Sequence, residues 1–235
     1  MEGYTETAHL GMNTVMTHRA FGKFAEKALQ AVRGEAARLE KLLSRFVPGS
    51  EISRINCAAG TGCVRVSDET YQLLERAIGF SRTCQGLFDI TIGPLADLWS
   101  IGRETGESPE KAMLRQLLPL VNYATLQLDP RDRTVELSRP GQSIDLGGIG
   151  KGYASARILD VHRRYGVTSA FTNLGDNVAA LSCKPDGSLW QVGIRHPREK
   201  DRLIGAVSVE DQTVVTSGDD QRFFIDRNGI RRHHI

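Results

Sequence analysis

The sequence predicts an α+β protein, with antiparallel sheet and helices segregated from runs of neighbouring strands. Three observations carry this. Ser169–Asn173, Leu189–Ile194, Leu203–Val209, Thr213–Ser217 and Arg222–Ile225 follow one another as short runs with strand character, each closed by turn residues. Ala124–Leu128 and Thr134–Ser138 flank Asp129-Pro130-Arg131-Asp132-Arg133, a hairpin signal. Apolar residues elsewhere recur at helical spacing, without the regular strand–helix alternation of a Rossmann succession.

In chain order, Phe24, Ala28, Val32, Ala36, Leu39, Leu43 and Phe46 stand three or four residues apart. That spacing predicts one long amphipathic helix from Phe24 to Phe46, with Lys27, Arg33, Glu40 and Lys41 largely on its other faces. Pro48-Gly49-Ser50 ends it. Ser50–Asn56 by itself reads as a polar loop. Ser67 is the expected N-cap of a second helix, in which Asp68 and Glu69 complement the dipole and Tyr71, Leu74 and Ile78 point inward. Phe88, Ile90 and Ile92 then alternate with Asp89 and Thr91, so a strand puts Asp89 and Thr91 on one face; in the blander reading Asp89 is solvated or caps a turn. Ser108-Pro109-Glu110 predicts a third helix start, with proline at the first helical position. A fourth helix is expected over about Gly152 to Tyr165, with Gly166 at its C-terminal cap.

Composition narrows the function only by exclusion. The 235 residues are enough for a sizeable core, and apolar and charged fractions of 40% and 25% are ordinary for a globular chain. Thirty basic against twenty-eight acidic residues give a net charge of +2, which argues for no nucleic-acid partner. No stretch approaches the roughly 18 consecutive apolar residues of a membrane span. The first residues, Met1-Glu2-Gly3-Tyr4-Thr5-Glu6, lack the basic-then-apolar pattern of a secretory signal. The expectation is a cytoplasmic protein as the sequence stands, or a periplasmic or cell-surface one whose leader has been removed. The four cysteines form no C-x-x-C pair, which disfavours a zinc site. A Cys57–Cys63 disulfide is a minor reading, because spacing alone cannot set bridge geometry.

The most informative stretch is Ser143-Ile144-Asp145-Leu146-Gly147-Gly148-Ile149-Gly150-Lys151-Gly152-Tyr153-Ala154. Glycines in a turn between a strand and a helix let backbone N–H groups approach a ligand that side chains would exclude. The helix that follows directs its positive end at that turn, where phosphate is favoured. Lys151 adds a point charge, and Asp145 suits a ligand N–H or hydroxyl. The bland alternative is a tight turn that packs a helix on a sheet. A P-loop is excluded, since Asp145 and Gly152 stand where glycine and Ser/Thr are needed. The Rossmann fingerprint is excluded because Gly148-x-Gly150-x-Gly152 is one residue short.

Together these stretches resemble the ApbE family. That family shows, in order, M-G-T, S-E-I-S-x-x-N, G-x-F-D-x-T-x-G-P-L-x-x-L-W, D-L-G-G-I-x-K-G-Y-A, N-x-G-G, W-x-V-x-I-x-x-P, T-S-G-x-Y-x-R and H-x-I-D-P-x-T-G. This chain supplies Met12-Asn13-Thr14, Ser50–Asn56, Gly86–Trp99, Asp145–Ala154, Asn173-Leu174-Gly175-Asp176, Trp190–Pro197, Thr216-Ser217-Gly218 and His234. The resemblance implies a T-fold-like architecture and a single flavin transferase domain over residues 1–235 that stops short of the family's C-terminal segment. It implies an enzyme that takes FAD as donor and transfers FMN to a threonine hydroxyl of a target flavoprotein with release of AMP, assisted by Mg²⁺. Acceptors implied by the family are flavin subunits of membrane redox complexes. Met12, Phe46, Leu87, Phe88, Asp89, Asp145, Lys151 and Ile235 are the implied cofactor-binding residues. Gly148 is the implied metal ligand through its carbonyl, and His234, beside the cofactor, the catalytic candidate. Ala156, Asp176 and Asp220 depart from the family pattern. The alternatives are an FAD pyrophosphatase, in which water replaces the hydroxyl, and a non-catalytic FAD-binding protein.

Overall fold

The computed structural model describes residues 4–99, 108–199, 201–220 and 223–233. The chain opens with β1 (Tyr4–Gly11), β2 (Thr14–Phe21), α1 (Ala25–Leu43), α2 (Glu51–Cys57), β3 (Val64–Arg65), α3 (Asp68–Thr83), α4 (Gly93–Trp99) and α5 (Lys111–Leu117). It continues through β4 (Leu126–Asp129), β5 (Thr134–Leu137), α6 (Gly150–Arg164), β6 (Ser169–Leu174), β7 (Asn177–Leu181), β8 (Trp190–Arg195), β9 (Leu203–Val209), β10 (Thr213–Val215), β11 (Phe223–Ile225) and β12 (Arg231–His233). Every pairing between these strands is antiparallel, as expected. None of the described helices is long and apolar enough to cross a membrane.

The contacts divide the chain into two compact units. The first comprises residues 1–40 and 150–220 and is built on a five-stranded sheet of order β1-β2-β6-β7-β10. Met12 and Asn13 turn the β1–β2 hairpin with φ of +47° and +59°, the two successive left-handed residues that a two-residue hairpin turn with native twist requires. Ala25, Ala28 and Leu29 of α1 and Leu159 of α6 bury against Ala20, Ala170, Ala179 and Leu181 of the sheet. Val178 and Ala180 of β7 instead pack with Trp190, Val192 and Val209 of the β8–β9 hairpin. Strand β7 is thus covered on both faces, and after Asn177 its sequence, Val178 to Leu181, is apolar without alternation.

The second unit comprises residues 41–149 and 221–235. Its three-stranded sheet, of order β3-β5-β4, accompanies α2, α3, α4 and α5. Ile52, Ile55, Leu73, Leu74, Ile90, Leu137 and Ile144 are among its largest fully buried side chains. Ser67 caps α3 as expected, its hydroxyl accepting from Thr70 N at 3.3 Å.

Several expectations are corrected. Ser50–Asn56 is not a loop: Ser50 accepts from Ser53 N at 2.9 Å and caps α2, whose Ile52 and Ile55 are buried. Residues 86–92 do not form a strand; a turn runs into an isolated bridge at Ile92 and then α4. The helix announced at Ser108-Pro109 starts only after Glu110. Helix α6 opens at Gly150, before Gly152, and Gly166 follows it with a φ of +69°. All four cysteines are free thiols. Arg222, called the first residue of the last expected strand, lies outside the described residues.

Candidate functional site

Two segments far apart in sequence run side by side in the second unit. Gly93 N donates to Ser143 O at 3.1 Å, Asp145 N donates to Ile90 O at 2.7 Å, and Ile92 and Ser143 form a parallel bridge. Gly93 has no room for a side chain, since a Cβ there would lie 2.5 Å from Ser143 O. Between these contacts Ile144 is held by Asn56. The Asn56 amide donates to Ile144 O at 3.0 Å and its Oδ1 accepts from Ile144 N at 2.7 Å. One asparagine side chain therefore replaces a neighbouring strand.

Asp145 then starts the glycine-rich turn. One carboxylate oxygen accepts from Gly147 N at 2.7 Å, and the other accepts from Arg45 Nη1 at 2.9 Å. Ile149 N closes the turn on Leu146 O at 3.0 Å. A Cβ on Gly147 would lie 2.9 Å from Asp145 Oδ1, and one on Gly148 would lie 2.9 Å from the Phe88 ring. The turn is tight enough to exclude side chains, so its exposed surface at Gly147 and Gly148 is main chain.

Beside it lies an open apolar pocket of about 340 Å³, lined by Phe80, Thr83, Cys84, Phe88, Gly148 and Ile149. Phe88 is positioned by its neighbours: its N–H meets Cys84 Sγ at 3.2 Å. Asp89 organises the turn. Its Oδ1 accepts from Thr91 N at 2.8 Å and from the Thr91 hydroxyl at 2.7 Å, and its Oδ2 accepts from Tyr123 N at 2.8 Å. The blander reading of Asp89 as a turn cap thus describes what its carboxylate does in this structure. Phe46 and Leu87 are 71% and 93% exposed.

The first unit gathers other motif residues around Gly175. Lys151 Nζ lies 3.5 Å from Gly175 O, and Asp176 N donates to Asn173 Oδ1 at 3.0 Å. Thr216 N donates to Asp176 O at 3.2 Å. Gly175 has a φ of +61°, and a Cβ on it would come within 2.1 Å of Thr14 Oγ1. The Met12–Thr14 turn, the Asn173–Asp176 turn, the start of α6 and Thr216 therefore meet at one point. Asp176 adopts a φ of +66° and lies 3.8 Å from Arg195. Helix α6 carries no acidic residue in its first turn, so Lys151 reinforces the positive end of the helix there.

The chain passes from one unit to the other between Ile149 and Gly150. Phe46, Leu87, Phe88, Asp89, Asp145 and Gly148 thus belong to the second unit, and Met12 and Lys151 to the first. His234 and Ile235 lie outside the described residues. The roles of Asn56, Arg45 and Thr14 were not expected from the sequence. For Asn56 the only signal was its place at the end of a recurrent motif; Arg45 carried none, because its partners lie 52 and 100 residues away.

A hard cation such as Mg²⁺ needs several oxygen ligands in octahedral array. Among the described residues no group of three or more His, Cys, Asp or Glu is arranged to hold a metal ion. The exposed Gly148 carbonyl offers one oxygen, so these residues do not fit a complete Mg²⁺ site.

Comparison with known proteins agrees with the motif order. The profile of the ApbE family matches residues 12–235. A Klebsiella pneumoniae (strain 342) protein named FAD:protein FMN transferase is 37% identical over 199 residues, 84% of this chain and 61% of its own length. A protein of the same name from Treponema pallidum (strain Nichols) is 32% identical over 248 residues, 97% of this chain and 68% of its own. This chain thus spans about three fifths to two thirds of those relatives. Among solved structures, the ApbE protein of Thermotoga maritima superposes with a TM-score of 0.91 at 27% identity, covering 99% of this chain and 75% of that one. The apo form of the Pseudomonas stutzeri flavinyl transferase ApbE gives 0.85 at 25% identity, covering 99% and 73%. With its motifs in family order, its profile matched from Met12 to the last residue and its fold shared with solved members, the chain belongs to the ApbE family.

Proposed function

We propose that this chain binds FAD and transfers its FMN part to a threonine hydroxyl of an acceptor protein, releasing AMP. The observation that supports this most is the family motif Asp145–Ala154: in the second unit it leaves bare main chain exposed at Gly147 and Gly148, and in the first unit Lys151 adds positive charge to the start of α6. Exposed main chain and a lysine at a helix start are the kinds of group that a diphosphate takes. The apolar pocket at Phe88, with exposed Phe46 and Leu87, suits the rings of the same ligand.

In this reading Lys151 and the turn are each assigned to the diphosphate by their place in the family motif, Asp145 shapes the turn, and Asp89 keeps Phe88 against the rings. The hydroxyl oxygen bonds to the FMN phosphorus as the bond to the bridging oxygen breaks; AMP leaves with that oxygen, and the hydroxyl proton passes to the AMP phosphate or to water. The threonine is the acceptor's, so the enzyme contributes orientation and charge neutralisation. His234 is assigned to the reacting hydroxyl by its place in the family motif. Mg²⁺ in this family would neutralise phosphate charge; the described donors do not complete its shell. Flavin subunits of membrane redox complexes are the acceptors this reading favours.

The test is incubation of the chain with FAD and a threonine-containing acceptor flavoprotein, with and without Mg²⁺. Covalent FMN on the acceptor, seen by intact-protein mass spectrometry with stoichiometric AMP, is the expected result. FMN and AMP with bare acceptor would replace transfer by hydrolysis. Failure of FAD to bind saturably would remove the reading altogether.

A further inference from the structure

Arg45 lies two residues beyond α1, and its side chain is only 9% exposed. Its partners come from two distant segments. Nη1 donates to Asp145 Oδ2 at 2.9 Å and lies 3.5 Å from Gly93 O, while Nη2 pairs with Asp97 on α4. Its guanidinium carbon stands 5.0 Å from the centroid of the Phe46 ring.

We propose that Arg45 is a positioning residue for FAD, a fork that fixes the glycine-rich turn without touching the ligand. The proposal rests on the reading of that turn as the diphosphate cradle. Ser143 and Ile144 are anchored by Gly93 and Asn56, but the turn proper begins after them. What orients it is the relay from Arg45 to the Asp145 carboxylate and on to Gly147 N at 2.7 Å. A largely buried ion pair is weak as a source of net stability, yet it fixes direction well. Arginine suits this place because its planar fork reaches two carboxylates along fixed lines, which a lysine ammonium does not. Asp97 holds the second arm, so the direction of the first is set by α4.

The experiment compares FAD affinity by flavin-fluorescence titration for the unaltered chain, Arg45→Gln, Arg45→Lys, Asp97→Asn and the double variant Arg45→Gln/Asp97→Asn. Amide hydrogen exchange across residues 143–149 and thermal midpoints are read on the same samples. Arg45→Gln is expected to weaken FAD binding about tenfold, the effect of losing one charge-assisted hydrogen bond. Arg45→Lys recovers part of that, Asp97→Asn loses part, and the double variant is no weaker than Arg45→Gln, because both act through one relay. Exchange speeds up at Gly147–Ile149 while α3 amides stay protected. A general loss of fold would instead lower the bound fraction at saturation, speed exchange in α3 and leave the affinity of the folded fraction unchanged, and that pattern overturns the proposal. So does Arg45→Gln with unaltered affinity, which leaves the cradle itself standing. If the unaltered chain binds no FAD, the cradle reading fails and the role of Arg45 in FAD binding falls with it.

Discussion

Replacing Asn56 by alanine tests the structural claim on which the turn depends. Ile144 is fully buried, and Asn56 supplies both a donor for its carbonyl at 3.0 Å and an acceptor for its N–H at 2.7 Å. A buried main-chain group left without a partner costs about 1–3 kcal/mol. Two such groups, with some relaxation, give a loss of about 3 kcal/mol. For a chain of this size each kcal/mol lowers the thermal midpoint by about 2–4 °C, so a fall of about 6–12 °C is expected. Urea denaturation should show a reduced midpoint with an unchanged slope. Asn56→Asp keeps the acceptor but sets a carboxylate oxygen against the Ile144 carbonyl, so it should not rescue stability. A midpoint change under 2 °C for Asn56→Ala would refute the reasoning, because Ile144 would then have its main-chain needs met elsewhere.

Further outcomes follow from other parts of the fold. Lys151→Ala should weaken FAD binding by about 1.5–3 kcal/mol, the range for hydrogen bonds to charged groups, and calorimetric titration with unaltered affinity would exclude Lys151 from the site. Gly175→Ala must accept a φ of +61° and a Cβ 2.1 Å from Thr14 Oγ1, so it should cost at least about 2 kcal/mol in urea denaturation; a neutral result would mean the Met12–Thr14 turn yields freely. His18 and His162 are buried, and burial holds their pKa values down to about 3 and about 4. The neighbouring groups are His9, stacked on His18 at 5.2 Å and itself beside Arg33, and Thr172, which bonds His18. Both rings are neutral when folded and charge more readily when unfolded, so stability present above about pH 6.5 is lost as pH falls towards 4, by up to about 2.7 kcal/mol per pH unit for the pair. Urea midpoints that stay flat from pH 7.5 to pH 5 would contradict this.

The sequence made some parts of this molecule legible for identifiable reasons. Helix α1 was legible because its apolar stripe repeats over five turns, and α3 because Ser67 and the acidic residues after it are a local start signal. Strand β9 was read over its full range, since turn residues bound it on both sides. The first hairpin escaped because its inward side chains include His18 beside Met16 and Ala20, which blurs the apolar alternation. Helix α2 escaped because seven polar-rich residues show little period; the Ser50 cap and the Ile52–Ile55 spacing were the only marks of it. The Phe88–Ile92 alternation misled, because Asp89 draws the Thr91 and Tyr123 amides to itself and bends the chain where a strand would continue. At the candidate site, motif order pointed to the turn and to Lys151. What fixes the turn was hidden, because Arg45, Asn56 and Gly93 act across gaps of 100, 88 and 50 residues that no local pattern spans.

The residues that set the shape of the turn and those that face outward around it are different residues. Asn56, Gly93 and Arg45 grip main chain and carboxylate, whereas the side chains of Phe46 and Leu87 stand largely in the open. Replacing an outward group therefore taxes folding very little, while altering an anchor disturbs the whole bend. Over evolutionary time such a division lets a lineage try new outward chemistry, and so new choices of what it meets, without first repairing its frame.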